Sequence, residues 1–399
     1  MEITSDKAQP VRRTPFDTAV ALLMVGATLL IIWLSFTNRS LWSAHWPSYS
    51  DMVSGLPEPS AWLRWVLGDI SEVAFYKHEF ASIGLLAGAY LAYWANRTAR
   101  SWQGFAISYG TGLWPWLITS SLLGLLLSNL MWGWTVTADS WQPTFAAFVS
   151  LPAAMVLMFG GGWKVTLNGA IMGAVFVTPM CLLIVNYVCN PLALPAVIGN
   201  VLGMAVASVV AFLLCRYCPS LVRSGQSETP PVPTPAPVIK VPDYGVVWTM
   251  RRVLADFSEA PFFGNELASL GLLVGALLAY GLNPLSPAYG SDLLLHIIGA
   301  QALTSAIGVL IWRRQWMMCG WYPTYIPLVS VVPAAILAYG GSWQIIISSA
   351  LLGALLAPPL ASAIAKRLPV DMHAYIANVL SMAISTLLIV PLIGYLIAN

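Results

Sequence analysis

Two glutamates occupy the positions where membrane chemistry would be expected. Glu79 and Glu266 each open an apolar segment, in HEFASIGLL and NELASLGLL, and they are the only two of the sixteen acidic residues found in such a repeated setting. A carboxylate at or inside a membrane helix can carry a proton or hold a cation, because burial raises its pKa toward neutrality. His78 beside Glu79 would extend a proton relay, whereas its counterpart Asn265 would not, so a relay would be asymmetric. The competing role is structural, since an acid in the first turn favours the helix dipole. Arg64 and Arg251 read as interfacial anchors, and Asp69, Glu72, Asp256 and Glu259 as solvated interfacial charges.

Two further sets of residues recur. Trp141-Gln-Pro143-Thr144-Phe145 matches Trp321-Tyr-Pro323-Thr324-Tyr325 at an offset of 180, and Pro152 and Pro333 are expected to interrupt the middle of the helix in both copies, one position apart. A proline removes a backbone donor and frees a carbonyl, which in lipid must be satisfied by a neighbour, water or a ligand. Helices broken at matching places in two halves point to a transport site, or else to ordinary kinks in a packed bundle. Asn200 in IGNVLGM and Asn378 in IANVLSM form the third set, at an offset of 178. A buried asparagine needs a partner, which can be a solute or another helix.

Other chemistries lack their residues. The chain has no GxxxxGK[ST] phosphate loop, no HExxH and no GxSxG, and His45, His78, His296 and His373 are scattered. Cys215 and Cys218 form a CxxC without a second ligand pair and read as small packing residues beside Cys181, Cys189 and Cys319. Neither a cofactor nor a metal is expected, and the chain does not read as an enzyme.

The elements that must position these residues are set by composition. The chain is 58% hydrophobic and 9% charged, against about 25% charged for a soluble domain. Lipid is therefore the solvent for most of it. A net charge of +2 and the lack of a basic stripe speak against a nucleic-acid partner. Eleven near-spanning apolar segments fall at 17–36, 79–96, 105–131, 143–160, 165–187, 195–215, 266–282, 293–312, 323–339, 344–364 and 374–396. With the N-terminus inside, fifteen Lys and Arg lie on the cytoplasmic side and three outside.

The glutamates also belong to a duplication. Residues 64–93 match residues 251–280 at 18 of 30 positions with an offset of 187. Five spans per copy would make the second copy enter the membrane from the opposite side. Gly84-xxx-Gly88 and Gly271-xxx-Gly275 recur within the match, a spacing that allows close helix contact. The alignment of Glu259 with Glu266 looks interrupted by Pro261.

The reading is an all-α integral membrane protein of about eleven helices, one N-terminal helix followed by two inverted five-helix repeats. Residues 1–60 hold the first helix, 61–218 the first repeat, 219–245 a proline-rich cytoplasmic linker and 246–399 the second repeat. The expected function is secondary transport of a small polar or anionic solute by alternating access, with H+ or Na+ as a coupling ion. A passive channel and a membrane subunit of a larger complex are the alternatives. The expected partners are the lipid bilayer of the cell (inner) membrane and the solute, and a homo-oligomer is open.

Overall fold

A computed structural model of the chain describes residues 46–137, 140–222 and 244–398. The expected span at 17–36, His45 and most of the proline-rich linker lie outside the described residues. Among the described residues the chain is helical, and the only extended pairing is an isolated bridge between Thr137 and Ser140. In chain order the helices are α1 (Tyr49–Ser54), α2 (Pro59–Glu72), α3 (Glu79–Arg97), α4 (Trp114–Trp132), α5 (Leu151–Phe159), α6 (Trp163–Cys189) and α7 (Ala196–Tyr217), followed by α8 (Val246–Asp256), α9 (Glu266–Leu282), α10 (Leu294–Ile311), α11 (Arg313–Cys319), α12 (Val331–Tyr339), α13 (Trp343–Ala365) and α14 (Tyr375–Ile393).

Six of the described helices are long and apolar enough to cross a membrane: Trp114–Thr135, α6, α7, α10, α13 and Tyr375–Ile397. Eleven spans were expected. Thr144–Phe159, Glu266–Leu282 and Ile326–Tyr339 are apolar but shorter, and α3 carries Glu79 in its first turn and Arg97 in its last. The burial pattern explains how such helices are solvated. Leu126, Leu130, Leu167, Ile171, Leu351 and Leu388 face outward, while Ser120, Ser128, Thr166, Thr178, Ser349 and Ser381 are buried. Apolar residues outside and small hydroxyls inside suit a bundle whose solvent is lipid, because hydroxyls bond across helices where apolar burial gives no drive. Ser128 and Thr178 share such a bond at 2.8 Å, and Ser381 donates to the Ala357 carbonyl at 2.7 Å.

The elements recur with the sequence. α5 and α12 start and stop at equivalent residues, each nine residues long. Gly160 and Gly340 follow them at φ 88° and 89° with extended ψ, a backbone region essentially reserved for glycine. The proline expectation needs correction here. Pro152 and Pro333 lie in the first turns of α5 and α12, where a missing N–H is tolerated, rather than in the middle of a helix. The break falls at Ser150 and Ser330, which leave the helical region and separate the 3₁₀ turns Thr144–Ala147 and Ile326–Val329 from the helices. The serine hydroxyls reach back to the carbonyls of Ala146 and Ile326 at 2.6 and 2.7 Å, competing with the helical pattern.

α3 and α9 meet backbone to backbone. A Cβ at Gly84 would lie 2.0 Å from the Gly271 carbonyl oxygen, and one at Gly271 would lie 2.0 Å from that of Gly84. One turn away Gly88 faces the Leu267 carbonyl, and Gly275 faces that of Phe80. The contacts are reciprocal, and residue numbers rise along one helix as they fall along the other. The two helices therefore run antiparallel about a local two-fold axis. Gly84→Ala should cost at least the ~1–3 kcal/mol typical of overpacking, because only backbone could move. Gly299→Ala in α10, where an added Cβ meets nothing within 4 Å, should leave stability unchanged or raise it. Thermal unfolding of the purified protein in detergent checks both.

Candidate functional site

The segments that join α2 to α3 and α8 to α9 have one architecture. Phe75 and Lys77 take positive φ (67° and 44°), as do their counterparts Phe262 and Gly264 (63° and 55°). Both copies break, so Pro261 is not the cause. Ser71 locks the first turn by donating to the His78 carbonyl and accepting the His78 N–H, each at 3.0 Å. Ser258 does the same with Asn265, at 2.9 and 3.1 Å.

His78 and Asn265 then cap the next helix. His78 Nδ1 accepts the Phe80 N–H at 3.1 Å, and Asn265 Oδ1 accepts the Leu267 N–H at 2.8 Å. An accepting Nδ1 places the imidazole proton on Nε2, 2.9 Å from the Ser286 hydroxyl. Burial draws the His78 pKa down to about 4 against a rise from Glu79 and a further lowering from Arg64. The two residues that looked like a break in symmetry thus perform one structural task.

Glu79 and Glu266 are each held by one arginine. Arg64 Nε lies 2.7 Å from Glu79 Oε1, and Arg251 Nε 2.8 Å from Glu266 Oε1. The Trp46 indole also donates to Glu79 at 2.8 Å, and the Phe105 N–H to Glu266 at 2.6 Å. Each glutamate is balanced one to one.

The other four acids are buried, not solvated: Asp69, Glu72, Asp256 and Glu259 are 2% exposed or less. Asp69 Oδ2 accepts from Asn129 Nδ2 and the Thr144 hydroxyl, both at 2.8 Å. Its Oδ1 is ion-paired with Lys77 Nζ, which also reaches Glu72 Oε2 at 2.7 Å. Glu72 Oε1 accepts the Trp141 indole N–H at 2.6 Å. The second repeat builds the same cluster. Thr324 and Ser305 donate to Asp256 at 2.9 and 2.6 Å, Trp321 donates to Glu259 at 2.8 Å, and Arg252 bridges both acids. Burial pushes the Glu72 carboxyl up, opposed by Lys77 and reinforced by Asp69. Burial likewise raises Asp256, with Arg252 opposing.

The cation has changed place between the copies. Lys77 aligns with Gly264 and Trp65 with Arg252, so the first repeat neutralises its acids from the connecting turn and the second from the helix. In the first copy the Trp65 ring lies 3.6 Å from Lys77 Nζ, and its indole donates to Thr144 at 2.9 Å. In the second, any side chain at 264 would start 2.5 Å from Glu259 Oε2.

Each cluster is also met by a tyrosine of the other repeat. Tyr289 faces Glu72, and Tyr109 faces Glu259. Both tyrosines sit in left-handed turns, φ 60° and 59°, anchored by the bonds Ala288 N–H to Tyr76 O (2.8 Å) and Ser108 N–H to Phe263 O (3.1 Å). Between the repeats lies a cavity of about 690 Å³. Glu72, Phe75, Trp141 and Asn200 line it from the first repeat, and Phe262, Tyr289, Tyr325 and Tyr375 from the second.

Of the residues singled out in the sequence, Asn200 lines this cavity, and its Oδ1 has no hydrogen-bond partner. Asn378 sits behind the wall, donating to the Tyr325 hydroxyl at 3.1 Å. Thr144 and Thr324 bind the buried aspartates, and Pro143 and Pro323 lead into their turns. Glu79, Glu266 and His78 are not among the lining residues. The sequence reading missed the acid clusters although their signal was present: the acids and their Trp and Thr donors recur in two separate matched blocks. Among the described residues no group of three or more His, Cys, Asp or Glu could hold a metal ion. No known family model matches the chain, and no curated protein matches it significantly. Several apolar helices mark it as a membrane-embedded protein.

Lys77→Met would leave two buried carboxylates without a cation and should cost about 3–5 kcal/mol. Trp65→Arg combined with Lys77→Gly copies the second repeat and should recover more than half of that loss in thermal unfolding. His78→Asn copies Asn265 and should fold normally at neutral pH. His78 stays neutral down to about 4, while in the unfolded chain it takes a proton near 6.5, so its share of stability falls as pH drops through that window. That share is about 2 kcal/mol by pH 5. His373 is drawn down to about 4 by the same burial, so His78→Asn should reduce acid sensitivity rather than abolish it. Melts between pH 7 and pH 4.5 measure the difference.

Proposed function

We propose that this protein is a secondary transporter that moves a small polar solute by alternating access. The observation that carries the reading is the cavity of about 690 Å³ walled by both repeats, a size within the usual range for small-molecule sites. Its walls are chiefly aromatic and aliphatic, with two polar side chains among them, Glu72 and Asn200. Such walls release a solute's apolar parts cheaply and leave orientation to the polar groups. The two carboxylates against one ammonium at Asp69, Glu72 and Lys77 favour a neutral or cationic solute over an anionic one.

The antiparallel crossing of α3 with α9 supports the inverted arrangement of two five-helix repeats, with a further helix before them. In such an arrangement one repeat rocks against the other about a midplane site. The distribution of Lys and Arg supports a cytoplasmic membrane with the N-terminus inside.

Counterflow in proteoliposomes, with pools of neutral, cationic and anionic solutes, tests the proposal. Saturable exchange stimulated by internal solute is expected. Asn200→Ala should raise KM roughly five-fold or more while leaving the fold intact, the effect of losing a polar contact worth about 1–3 kcal/mol. Linear flux without counterflow would replace the carrier with a channel, and no flux with any pool would end the reading.

A further inference from the structure

The acids in this protein divide by stoichiometry. Glu79 and Glu266 have one arginine each and are electrically closed. Asp69 and Glu72 share Lys77, and Asp256 and Glu259 share Arg252, so each cluster carries two carboxylates for one cation. The two halves disagree about where the cation comes from, yet both supply only one. A buried excess of one negative charge is costly in low dielectric unless a proton or cation joins it.

A second observation locates the missing charge. Asn129 is 2% exposed, and its Nδ2 is held by Asp69 Oδ2 at 2.8 Å. Its Oδ1, on the same amide, has no partner. The surrounding groups all donate to the acids: Thr144 and Asn129 to Asp69, Trp141 to Glu72, and Lys77 to both. Tyr49 and Tyr289 are the other titratable groups that face the pair. A carboxylic O–H on Asp69 needs an acceptor. A half-turn of the Asn129 amide, which gives up its 3.2 Å bond to the Leu125 carbonyl, supplies one by bringing Oδ1 to Asp69 Oδ2.

We propose that Asp69 and Glu72 together hold one exchangeable proton, that Asp256 and Glu259 form the equivalent site in the second repeat, and that the first site couples proton movement to the cavity through Glu72. Uptake is a simple transfer: hydronium in the cavity gives its proton to the carboxylate pair, an O–H bond forms and water departs. The pair rather than one residue owns the proton, because the acids share a cation. With the proton bound the cluster is neutral, and without it the cavity wall is negative. The coupling clause rests on the transporter reading, whereas the proton sites do not.

The test is pH-step infrared difference spectroscopy on the full chain in nanodiscs without solute. Titrating carboxylic C=O bands are expected. Glu72→Gln should remove one set and Glu259→Gln the other, while Glu79→Gln leaves both. Asn129→Leu, which keeps every charge but removes a donor to the ionised pair, should raise the first midpoint by about one pH unit, a tenfold gain of proton affinity. Bands that survive Glu72→Gln with Glu259→Gln, or that vanish with Glu79→Gln, overturn the proposal. Sodium at fixed pH should not move the midpoints, and a competitive shift would assign the site to sodium instead. Proton bands in a protein that exchanges no solute would uphold the sites and defeat the transporter reading. Solute exchange indifferent to both a pH gradient and Glu72→Gln would defeat the coupling.

Discussion

The contact between Gly84 and Gly271 sets the geometry of everything around it. Backbone touches backbone there, with no side chain between that could adjust. Lipid gives apolar helices no hydrophobic reason to associate, so close packing of this kind must hold them. Because the contact is reciprocal and antiparallel, fixing α3 against α9 also fixes the turn that precedes each helix. Those turns carry the serine locks, the caps at His78 and Asn265, and the ends of α2 and α8 where the acids lie. The cross-repeat bonds from Ala288 to Tyr76 and from Ser108 to Phe263 tie the same turns to the opposite repeat. The acid clusters are thus built at the seam between the halves, beside contacts that both repeats supply.

The clusters show what duplication preserves and what it lets drift. Acids, threonine donors and indole donors keep their positions, because a buried carboxylate must satisfy its lone pairs from fixed directions. The cation is less constrained, since a positive charge can approach from either side of the pair. Lys77 and Arg252 enter from opposite sequence directions, and the residues they displace, Gly264 and Trp65, are what the remaining space requires. Gly264 leaves room for Glu259, and Trp65 covers Lys77 with its ring while its N–H takes Thr144. Two coordinated differences therefore preserve one charge balance.

Much of the helical frame was legible in the sequence, because hydropathy reports local solvent. The segments 165–187, 195–215 and 344–364 lie within two residues of Trp163–Cys189, Ala196–Tyr217 and Trp343–Ala365. The glycine spacing also marked a real close approach. The acid sites were not legible for a physical reason. Asp69 and Glu72 occupy an amphipathic stretch that a periodicity argument assigns to the interface, and the groups that permit their burial, Asn129, Trp141 and Thr144, are 60 or more residues away. Only Lys77 is near, and it has no counterpart in the aligned column, so the comparison of halves hid the compensation. The prolines misled in the opposite way. They are conspicuous in sequence, but the chain breaks at Ser150 and Ser330, where a hydroxyl competes with the backbone.

The two halves are equivalent in design but not in circumstance. Glu72 borders the cavity, and Glu259 is absent from its lining. Tyr109, which faces Glu259, is 45% exposed, while Tyr289 lines the cavity together with Glu72. The cations differ as well, an ammonium from the connecting turn in the first repeat and a guanidinium from the helix in the second. Lys77 is completely buried, lies on a left-handed turn rather than in a helix, and touches both acids beside the cavity. The place where the copies differ most in chemistry is also the place where the cavity begins.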